Sequence, residues 1–408
     1  MGGSDTGGVA GTGGAAAGGG SAAMGGTTST GGASATGGSV VTGGATMTGG
    51  TMGGNRATGG SAGSRGAVTG GNSTMGGNRA TGGSAGAGGA IATGGTGGIS
   101  TDRCDVGIYD AANPPQALTL TGNLGAHDPS AIESNGTYYL YYTGLGAKTS
   151  TNLTSWNATA APFATPSWMS AAISGVTSLW APDISYFGGT YHLYYAGSTF
   201  GTNKSCIGHA TRVSLGSGAW ADQGSATLCS NVNTTDNWNA IDPNAIVDTN
   251  GTPWLVFGSF WSGIKIIQLD ATGARVGTTV TAIAARPSNG GAIEGPFMVR
   301  RCGYYYLFTS WDTCCQGASS TYNIRVVRGT SVTGPFADKA GTTALQGGGT
   351  LIAKGGGSWA GPGGQSVMFV GTKAYLVYHA YATSDGAATL RIADLVWDAS
   401  GWPVAVGP

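Results

Sequence analysis

The chain reads Asp128-Pro129-Ser130-Ala131-Ile132 and then, after a short turn, Gly136-Thr137-Tyr138-Tyr139-Leu140-Tyr141-Tyr142. An acidic turn leads into a short apolar strand, and a glycine turn leads into an aromatic strand. Four more copies of this pattern follow at intervals of about 50 to 70 residues. They begin at Ala181, Asp242, Glu294 and Gly361, and their aromatic strands follow Gly189, Gly251, Gly303 and Gly371.

Each copy contributes short strands rich in Tyr, Val, Ile and Trp, separated by turns of Gly, Asn, Asp and Pro, with no convincing helical period between them. A strand-only repeat of this length is typical of a propeller blade of four antiparallel strands. The pattern therefore predicts an all-β domain over residues 101–408, folded as a five-bladed β-propeller. The alternative is a β-sandwich, but a sandwich gives no reason for five copies of one motif.

Radial repetition places equivalent positions at one mouth of the central channel. We expect four carboxyl side chains and one amide to converge there, because the innermost strand of each blade runs along the axis. Like charges in a partly dry pocket raise one another's pKa, an arrangement that suits a site needing one proton donor and one base. The converging residues are Asp128, Asp183, Asp242, Glu294 and Gln365.

Two carboxyl groups in different environments are the catalytic equipment of glycoside hydrolases. Glu294 lies in Ala-Ile-Glu-Gly-Pro-Phe, where apolar neighbours favour the neutral acid. Asp128 and Asp242 each precede a proline, and the alternative is that each only opens a turn by bonding its own backbone. Two such residues with a glutamate at a third blade favour catalysis.

Aromatic side chains near these turns predict a cleft that stacks on sugar rings. Trp180 precedes Ala-Pro-Asp183, and Phe260-Trp261 follow the third aromatic strand. The alternative is that each ring belongs to a blade core. The four histidines show no shared spacing and the cysteines no repeated CxxC, so no dedicated zinc motif is predicted.

Five motifs in order resemble glycoside hydrolase family 43, with the endo-acting arabinanases as the most similar branch, over about residues 105–405. The resemblance implies a five-bladed propeller and an inverting hydrolase. Ser198–Ala210 and Ala240–Lys265 are particularly similar to that branch. The motifs are His127–Ser130, Leu179–Asp183, Asn239–Asn244, Gly258–Lys265 and Ile293–Pro296.

By this resemblance Asp128 is the general base, Glu294 is the general acid, and Asp242 positions Glu294 and keeps its pKa raised. Inversion requires the two catalytic carboxyl groups to lie roughly 6.5–9.5 Å apart. Asp183 belongs to a shared motif, either touching sugar or bracing its turn. The substrate-binding residues implied are Trp180, Asp183, Phe260, Trp261 and Ser262.

The resemblance also implies a metal ion, commonly calcium, near the centre of the propeller beside a histidine of the fifth blade. Here that segment reads Gly361-Pro362-Gly363-Gly364-Gln365, so the histidine is replaced. A structural calcium is therefore left open, and no direct ligand for it is predicted.

The function implied is cleavage of internal α-1,5 bonds of arabinan, a plant polysaccharide. We expect a monomer, the default for a propeller that acts on a polymer. The alternatives are an exo-acting arabinanase, an arabinofuranosidase or a β-xylosidase on the same fold. A carbohydrate-binding propeller without catalysis is the alternative from another class, and it has little use for three clustered carboxyl groups.

Residues 1–100 hold about half of the 80 glycines and no aromatic residue, proline or cysteine. Such a segment cannot bury enough apolar area to order its backbone, so we expect a disordered, low-complexity tether. Basic and acidic side chains number 18 each, which predicts no nucleic-acid partner. No apolar run is long enough to span a membrane.

All six cysteines lie in residues 101–408, which favours disulfides and an exported protein over free buried thiols. We expect Cys206 to pair with Cys229, and Cys302 to pair with Cys314 or Cys315. The predicted location is secreted or at the cell surface, although the first residues show no secretory signal.

Overall fold

The computed structural model describes residues 102–408, and its strands form five sheets. Each sheet has four antiparallel strands in chain order, and the first gains a short parallel fifth. The predictions for residues 1–100 lie outside the described residues.

The strands of each blade are consecutive in the chain. Blade 1 comprises β1 Thr121–Gly122, β2 Ser130–Ser134, β3 Thr137–Tyr142, β4 Gly146–Ser150 and β5 Ser155–Thr159. Blade 2 comprises β6 Leu179–Phe187, β7 Thr190–Gly197, β8 Ser205–Arg212 and β9 Ala221–Ser230. Blade 3 comprises β10 Asn244–Val247, β11 Pro253–Phe257, β12 Ile264–Gln268 and β13 Thr281–Ala284. Blade 4 comprises β14 Ile293–Arg301, β15 Tyr304–Trp311, β16 Asn323–Gly329 and β17 Thr350–Lys354. Blade 5 comprises β18 Trp359–Val370, β19 Lys373–Ala382, β20 Ala388–Trp397 and β21 Pro403–Ala405.

The innermost strands of the five blades form a closed ring. Strand β2 contacts β6, β6 contacts β10, β10 contacts β14, β14 contacts β18, and β18 returns to β2. The predicted five-bladed propeller is therefore confirmed, and the five repeats in the sequence are the innermost strand of each blade and the strand that follows it. Helical structure in the described part is limited to α1 Ser167–Ala172 and three short 3-10 turns, Asn289–Gly291, Gly317–Ser319 and Ala344–Gln346. None of these helices is long and apolar enough to cross a membrane.

The hydrophobic core lies between blades. Five clusters of buried side chains occur, and each joins two neighbouring blades. Ile132 and Leu193 join blades 1 and 2, for example, while Val377 and Leu140 join blades 5 and 1. Fully burying such a side chain stabilises the fold by about 1.5–3 kcal/mol. The blades therefore hold one another in a fixed ring.

One disulfide was predicted correctly and the other was not. Cys206 and Cys229 face each other on β8 and β9 and are bonded. Cys302 pairs with Cys104 rather than with Cys314 or Cys315, which are free. The reason is geometric, because Cys302 lies in the turn between β14 and β15, whereas Cys314 and Cys315 follow the far end of β15. The bond attaches the segment before blade 1 to blade 4.

Candidate active site

Tight left-handed turns aim the catalytic candidates into the central mouth. Asp128 and Asp242 have φ angles of 48° and 55° and directly precede the proline before β2 or β10. Left-handed backbone at such residues costs about 1–3 kcal/mol each, and it recurs at functional sites. The turns therefore indicate that the direction in which the Asp128 and Asp242 side chains point matters for function.

The position of this left-handed turn shows which residues are equivalent between blades. The residues with left-handed φ at the corresponding position of blades 2, 4 and 5 are Ala181, Gly295 and Gly364, not Asp183, Glu294 and Gln365. Strand register is irregular at these three places, between Trp180 and Asp183, for example. The expected group of five equivalent residues was therefore wrong for three blades, since each side chain enters from a different step of its turn.

Glu294 is the most enclosed of the catalytic candidates. The Ser259 hydroxyl donates to Oε2 at 2.7 Å and the Tyr322 hydroxyl donates to Oε1 at 2.6 Å. Burial raises the pKa of Glu294, more than these two donors lower it. A carboxyl group that stays protonated is suited to act as a general acid.

Asp242 contacts the backbone next to Glu294. Its Oδ2 accepts the backbone N–H of Gly295 at 3.0 Å, a contact that ties it to the residue after Glu294. Burial raises the pKa of Asp242 well above its ordinary value, and the charges of Glu294 and Asp128 raise it further. Asp242 is thus placed to hold Glu294 in position.

Asp128 has the opposite environment. His127 Nδ1 lies 2.6 Å from its Oδ2, the Thr143 hydroxyl donates to the same oxygen at 2.8 Å, and His379 Nδ1 lies 3.7 Å from Oδ1. Burial alone would raise the pKa of Asp128, but His127 together with these neighbours holds it below its ordinary value. Asp128 in turn raises the pKa of His127 to about 10 against the effect of burial. The two carboxyl groups therefore differ, since the neighbours of Asp128 favour its ionised form and burial favours the protonated form of Glu294.

Gly364 gives Asp128 the room it occupies. A Cβ at Gly364 would lie 2.2 Å from Asp128 Oδ1 and 2.9 Å from the His379 ring. We expect Gly364→Ala to lower kcat by about 100-fold, because a displacement of about 1 Å at a reacting group has that effect.

Gly371→Ala is the matched control for Gly364→Ala. Gly371 is in the same blade with φ of 58°, against 55° for Gly364, and its Cβ would meet nothing within 4 Å. Both variants should lose about 1 kcal/mol of stability from backbone strain, and Gly364→Ala should lose more because its Cβ also displaces Asp128. Steady-state kinetics and thermal melts of the two proteins check this, and equal activity in both would contradict it.

A cleft of about 510 Å³ opens from Glu294 to the surface. Trp180, Phe260 and Trp261 line it, as the sequence predicted, and Trp261 is 44% exposed. Phe200 also lines the cleft and is 78% exposed, although it was not predicted. Its signal was an aromatic residue within the family-like segment Ser198–Ala210, before β8. Exposed rings in a cleft are suited to stacking on sugars, because the apolar face of a sugar needs an apolar partner.

Two predicted substrate-binding residues lie elsewhere. Ser262 donates through its hydroxyl to Asn237 Oδ1 at 3.1 Å and does not line the cleft. Asp183 is 1% exposed, and its two oxygens accept four hydrogen bonds. The donors are the Ser130 and Ser185 hydroxyls, the Asn244 amide and the Ala245 N–H. This placement favours bracing of the blade turns over contact with sugar.

A central calcium finds few free oxygens among residues 102–408. Calcium takes six to eight oxygen ligands. Asp183 is saturated, and Gln365 accepts from the Ser310 hydroxyl and donates to the Gly295 carbonyl. The groups of described side chains close enough to share an ion contain at most one carboxylate. The protein side chains at the mouth therefore do not fit calcium, and no step is derived through it.

The four histidines form two pairs in the structure, which their spacing in the sequence does not indicate. His127 and His379 stack beside Asp128 with ring centroids 3.8 Å apart. His192 and His209 lie across β7 and β8 and share a hydrogen bond of 2.9 Å. Burial lowers the pKa of His192 to about 4 and that of His209 to about 3, where the charge of His192 adds to the effect.

The His192–His209 pair predicts acid sensitivity. The folded-state pKa values lie below the unfolded value near 6.5, so the unfolded chain binds protons first as the pH falls. The free energy of unfolding should drop by up to about 1.4 kcal/mol per pH unit for each histidine between about pH 6.5 and 4. Urea unfolding at several pH values checks this. His209→Gln should flatten the dependence, and an unchanged slope would contradict the prediction.

The fold and the site together define a propeller with the carboxyl pair of a glycosidase. The family model "Glycosyl hydrolases family 43" matches residues 121–403. The chain belongs to this family.

Relatives with established names agree with this assignment. The chain is 42% identical over 306 residues to the extracellular endo-α-(1→5)-L-arabinanase 1 of Bacillus subtilis, covering 72% of this chain and 93% of that protein. It is 38% identical over 302 residues to the extracellular exo-α-(1→5)-L-arabinofuranosidase ArbA of Cellvibrio japonicus, covering 69% and 86%. The solved family 43 endo-arabinanase of Bacillus licheniformis superposes with a TM-score of 0.66 at 44% identity, covering 70% of this chain and 99% of that one.

Proposed function

We propose that this protein hydrolyses internal α-1,5 bonds of arabinan. The observation that carries the proposal is the pairing of ionised Asp128 with enclosed Glu294, which lines an aromatic cleft. The substrate is inferred from the names of the two Bacillus relatives, since both are endo-arabinanases. The matched region covers 93% and 99% of their chains.

The proposed mechanism inverts the anomeric centre. Asp128 takes a proton from a water whose oxygen attacks the anomeric carbon, and Glu294 gives its proton to the departing glycosidic oxygen. The bond between that oxygen and the anomeric carbon breaks as the bond to water forms. Asp242 acts as a positioning residue through the Gly295 N–H. A separation of roughly 6.5–9.5 Å between the two catalytic carboxyl groups remains the prediction.

Internal cleavage requires a cleft that lets the chain pass on both sides of Glu294. Phe200 and Trp261 supply exposed rings for such a chain. Exo-action is the second candidate, because the Cellvibrio relative carries that name at 38% identity.

Product analysis on debranched linear arabinan separates the two modes. We expect a spread of short oligosaccharides at early times, because internal bonds are cut at many positions. Arabinose alone, or one oligosaccharide of fixed length, would show exo-action. No release from arabinan or xylan by the folded protein would overturn the hydrolase and leave the carbohydrate-binding alternative.

We also propose that the protein acts outside the cell as a monomer. Two disulfides and the word "extracellular" in the names of both curated relatives support export. Fractionation of the producing cells tests the location, and light scattering of the purified protein tests the monomer.

A further inference from the structure

Two adjacent free thiols lie at the edge of the active site. Cys314 and Cys315 follow β15, and Cys314 lines the cleft with Glu294. The other four of the six cysteines form the two disulfides, so this pair holds all the free thiols of the chain. Neither thiol has a part in the proposed hydrolysis.

The loop that carries the two thiols has a fixed conformation. Cys315 has a left-handed φ of 64°, and its N–H donates to the Tyr381 hydroxyl at 2.9 Å. The next residue, Gln316, donates its N–H to the Ser320 hydroxyl at 3.0 Å. These contacts hold the two sulfur atoms against blade 5 before any ligand binds.

His127 completes a set of three donor atoms. One ring nitrogen of His127 and the two Sγ atoms all lie within 4.8 Å of one another, and Nε2 is 3.8 Å from the Cys315 sulfur. Its Nδ1 contacts Asp128 Oδ2 at 2.6 Å, which fixes the ring and directs Nε2 at the thiols. A carboxylate on one imidazole nitrogen and a metal on the other is the usual arrangement at metal-binding histidines.

We propose that His127, Cys314 and Cys315 form a site for a thiophilic divalent cation such as Zn²⁺. Two sulfur ligands and one imidazole select soft or borderline metals and reject Ca²⁺ and Mg²⁺. Three protein ligands leave a fourth position for water from the cleft. The two thiols and the imidazole lose their protons on binding, since thiolate and neutral imidazole are the ligand forms.

Occupation of this site inhibits the enzyme. The Tyr381 hydroxyl lies 2.7 Å from His127 Nε2, and a cation on this nitrogen takes its place. The hydroxyl then still has the Cys315 N–H and His379 Nε2 as hydrogen-bond partners. The ion and its water also occupy the cleft beside Cys314, which lines it with Glu294, and so obstruct the sugar chain. The cation is therefore an inhibitor rather than a cofactor.

The test is a Cd²⁺ titration of the full chain, followed by the thiolate-to-metal charge-transfer absorbance and by activity on arabinan. Wild type should bind one equivalent, and saturating Cd²⁺ should lower its activity by about tenfold or more, because a small displacement at a reacting group has that effect. Cys314→Ser or Cys315→Ser should weaken binding by about 100-fold. Zn²⁺ should compete with Cd²⁺, and Ca²⁺ should not.

Two controls make the outcome decisive. Gln316→Ala, in the same loop, should bind Cd²⁺ as wild type does, and Cys314→Ser/Cys315→Ser should show neither the band nor the inhibition. An equal band in that double variant would overturn the proposal by placing the metal on other cysteines. So would thiol titration and mass measurement of the isolated protein showing Cys314 bonded to Cys315. Binding without inhibition would overturn the inhibitory role alone, and the absorbance arm does not depend on the proposed substrate.

Discussion

Glu294→Gln is expected to lower kcat/KM on arabinan by about 10²–10⁴-fold, the usual contribution of a general acid. The variant keeps the size of the side chain, and its one oxygen can still accept from the Ser259 or the Tyr322 hydroxyl, but it has no acidic proton to give. Steady-state kinetics on linear arabinan measure the loss.

An aryl arabinofuranoside with a good leaving group distinguishes the acid from a structural role. Such a leaving group departs without a proton, so Glu294→Gln should recover most of its activity on this substrate. The pH profile of the rate of Glu294→Gln should also lose its alkaline limb. Burial raises the pKa of Glu294, so in wild type that limb falls above the ordinary carboxyl range.

Glu133→Gln is the matched control for Glu294→Gln. Both glutamates follow Ala-Ile, and the chain contains no other glutamate. Glu133 lies on β2, where it accepts the N–H of Gly136. Wild-type activity in Glu133→Gln with a large loss in Glu294→Gln is the expected pattern. Equal losses, or no rescue by the activated substrate, would contradict the general-acid role.

Asp128→Asn should also lower kcat/KM by about 10²–10⁴-fold, but on arabinan and on the activated aryl substrate alike. Water must be deprotonated whichever group leaves, so a better leaving group does not replace the base. The different response to leaving group separates the two carboxyl groups by role. Kinetics on both substrates measure it.

Asp270→Asn controls for the change of carboxylate to amide. Asp270 caps a turn through Oδ1, which accepts the N–H groups of Thr272 and Ala274, and an asparagine keeps that oxygen. Its activity should equal that of wild type. Rescue of Asp128→Asn by the activated substrate would contradict the assignment of Asp128 as the base.

The fold was readable because five blades repeat one local pattern. Each copy contains the residues that specify its own turn, strand and hairpin, so each blade can be predicted from local sequence. The number of copies then predicts the number of blades in the closed ring. The Cys206–Cys229 bond was readable for the same reason, since it joins adjacent strands of one blade. Cys104–Cys302 joins residues 198 apart, and no local pattern carries that information.

The site was readable only in part. The sequence selected Asp128, Asp242 and Glu294 but assigned them equivalent places, whereas Glu294 enters one residue before the left-handed Gly295. The details of such a turn depend on backbone dihedrals that residue types only bias. The partners of Glu294 come from other segments, with Ser259 after β11 and Tyr322 before β16. Their contacts are consequences of the closed ring.

Time-resolved proton NMR of debranched arabinan during the first minutes of hydrolysis by the wild-type enzyme tests the inverting mechanism most directly. If the water activated by Asp128 attacks the anomeric carbon from the side opposite the bond that Glu294 protonates, the configuration inverts. The new reducing ends should then appear first as the β anomer, and the two anomers should equilibrate only later. First appearance of the α anomer would show retention and contradict the role given to Asp128. The absence of any new reducing ends would contradict the hydrolase itself.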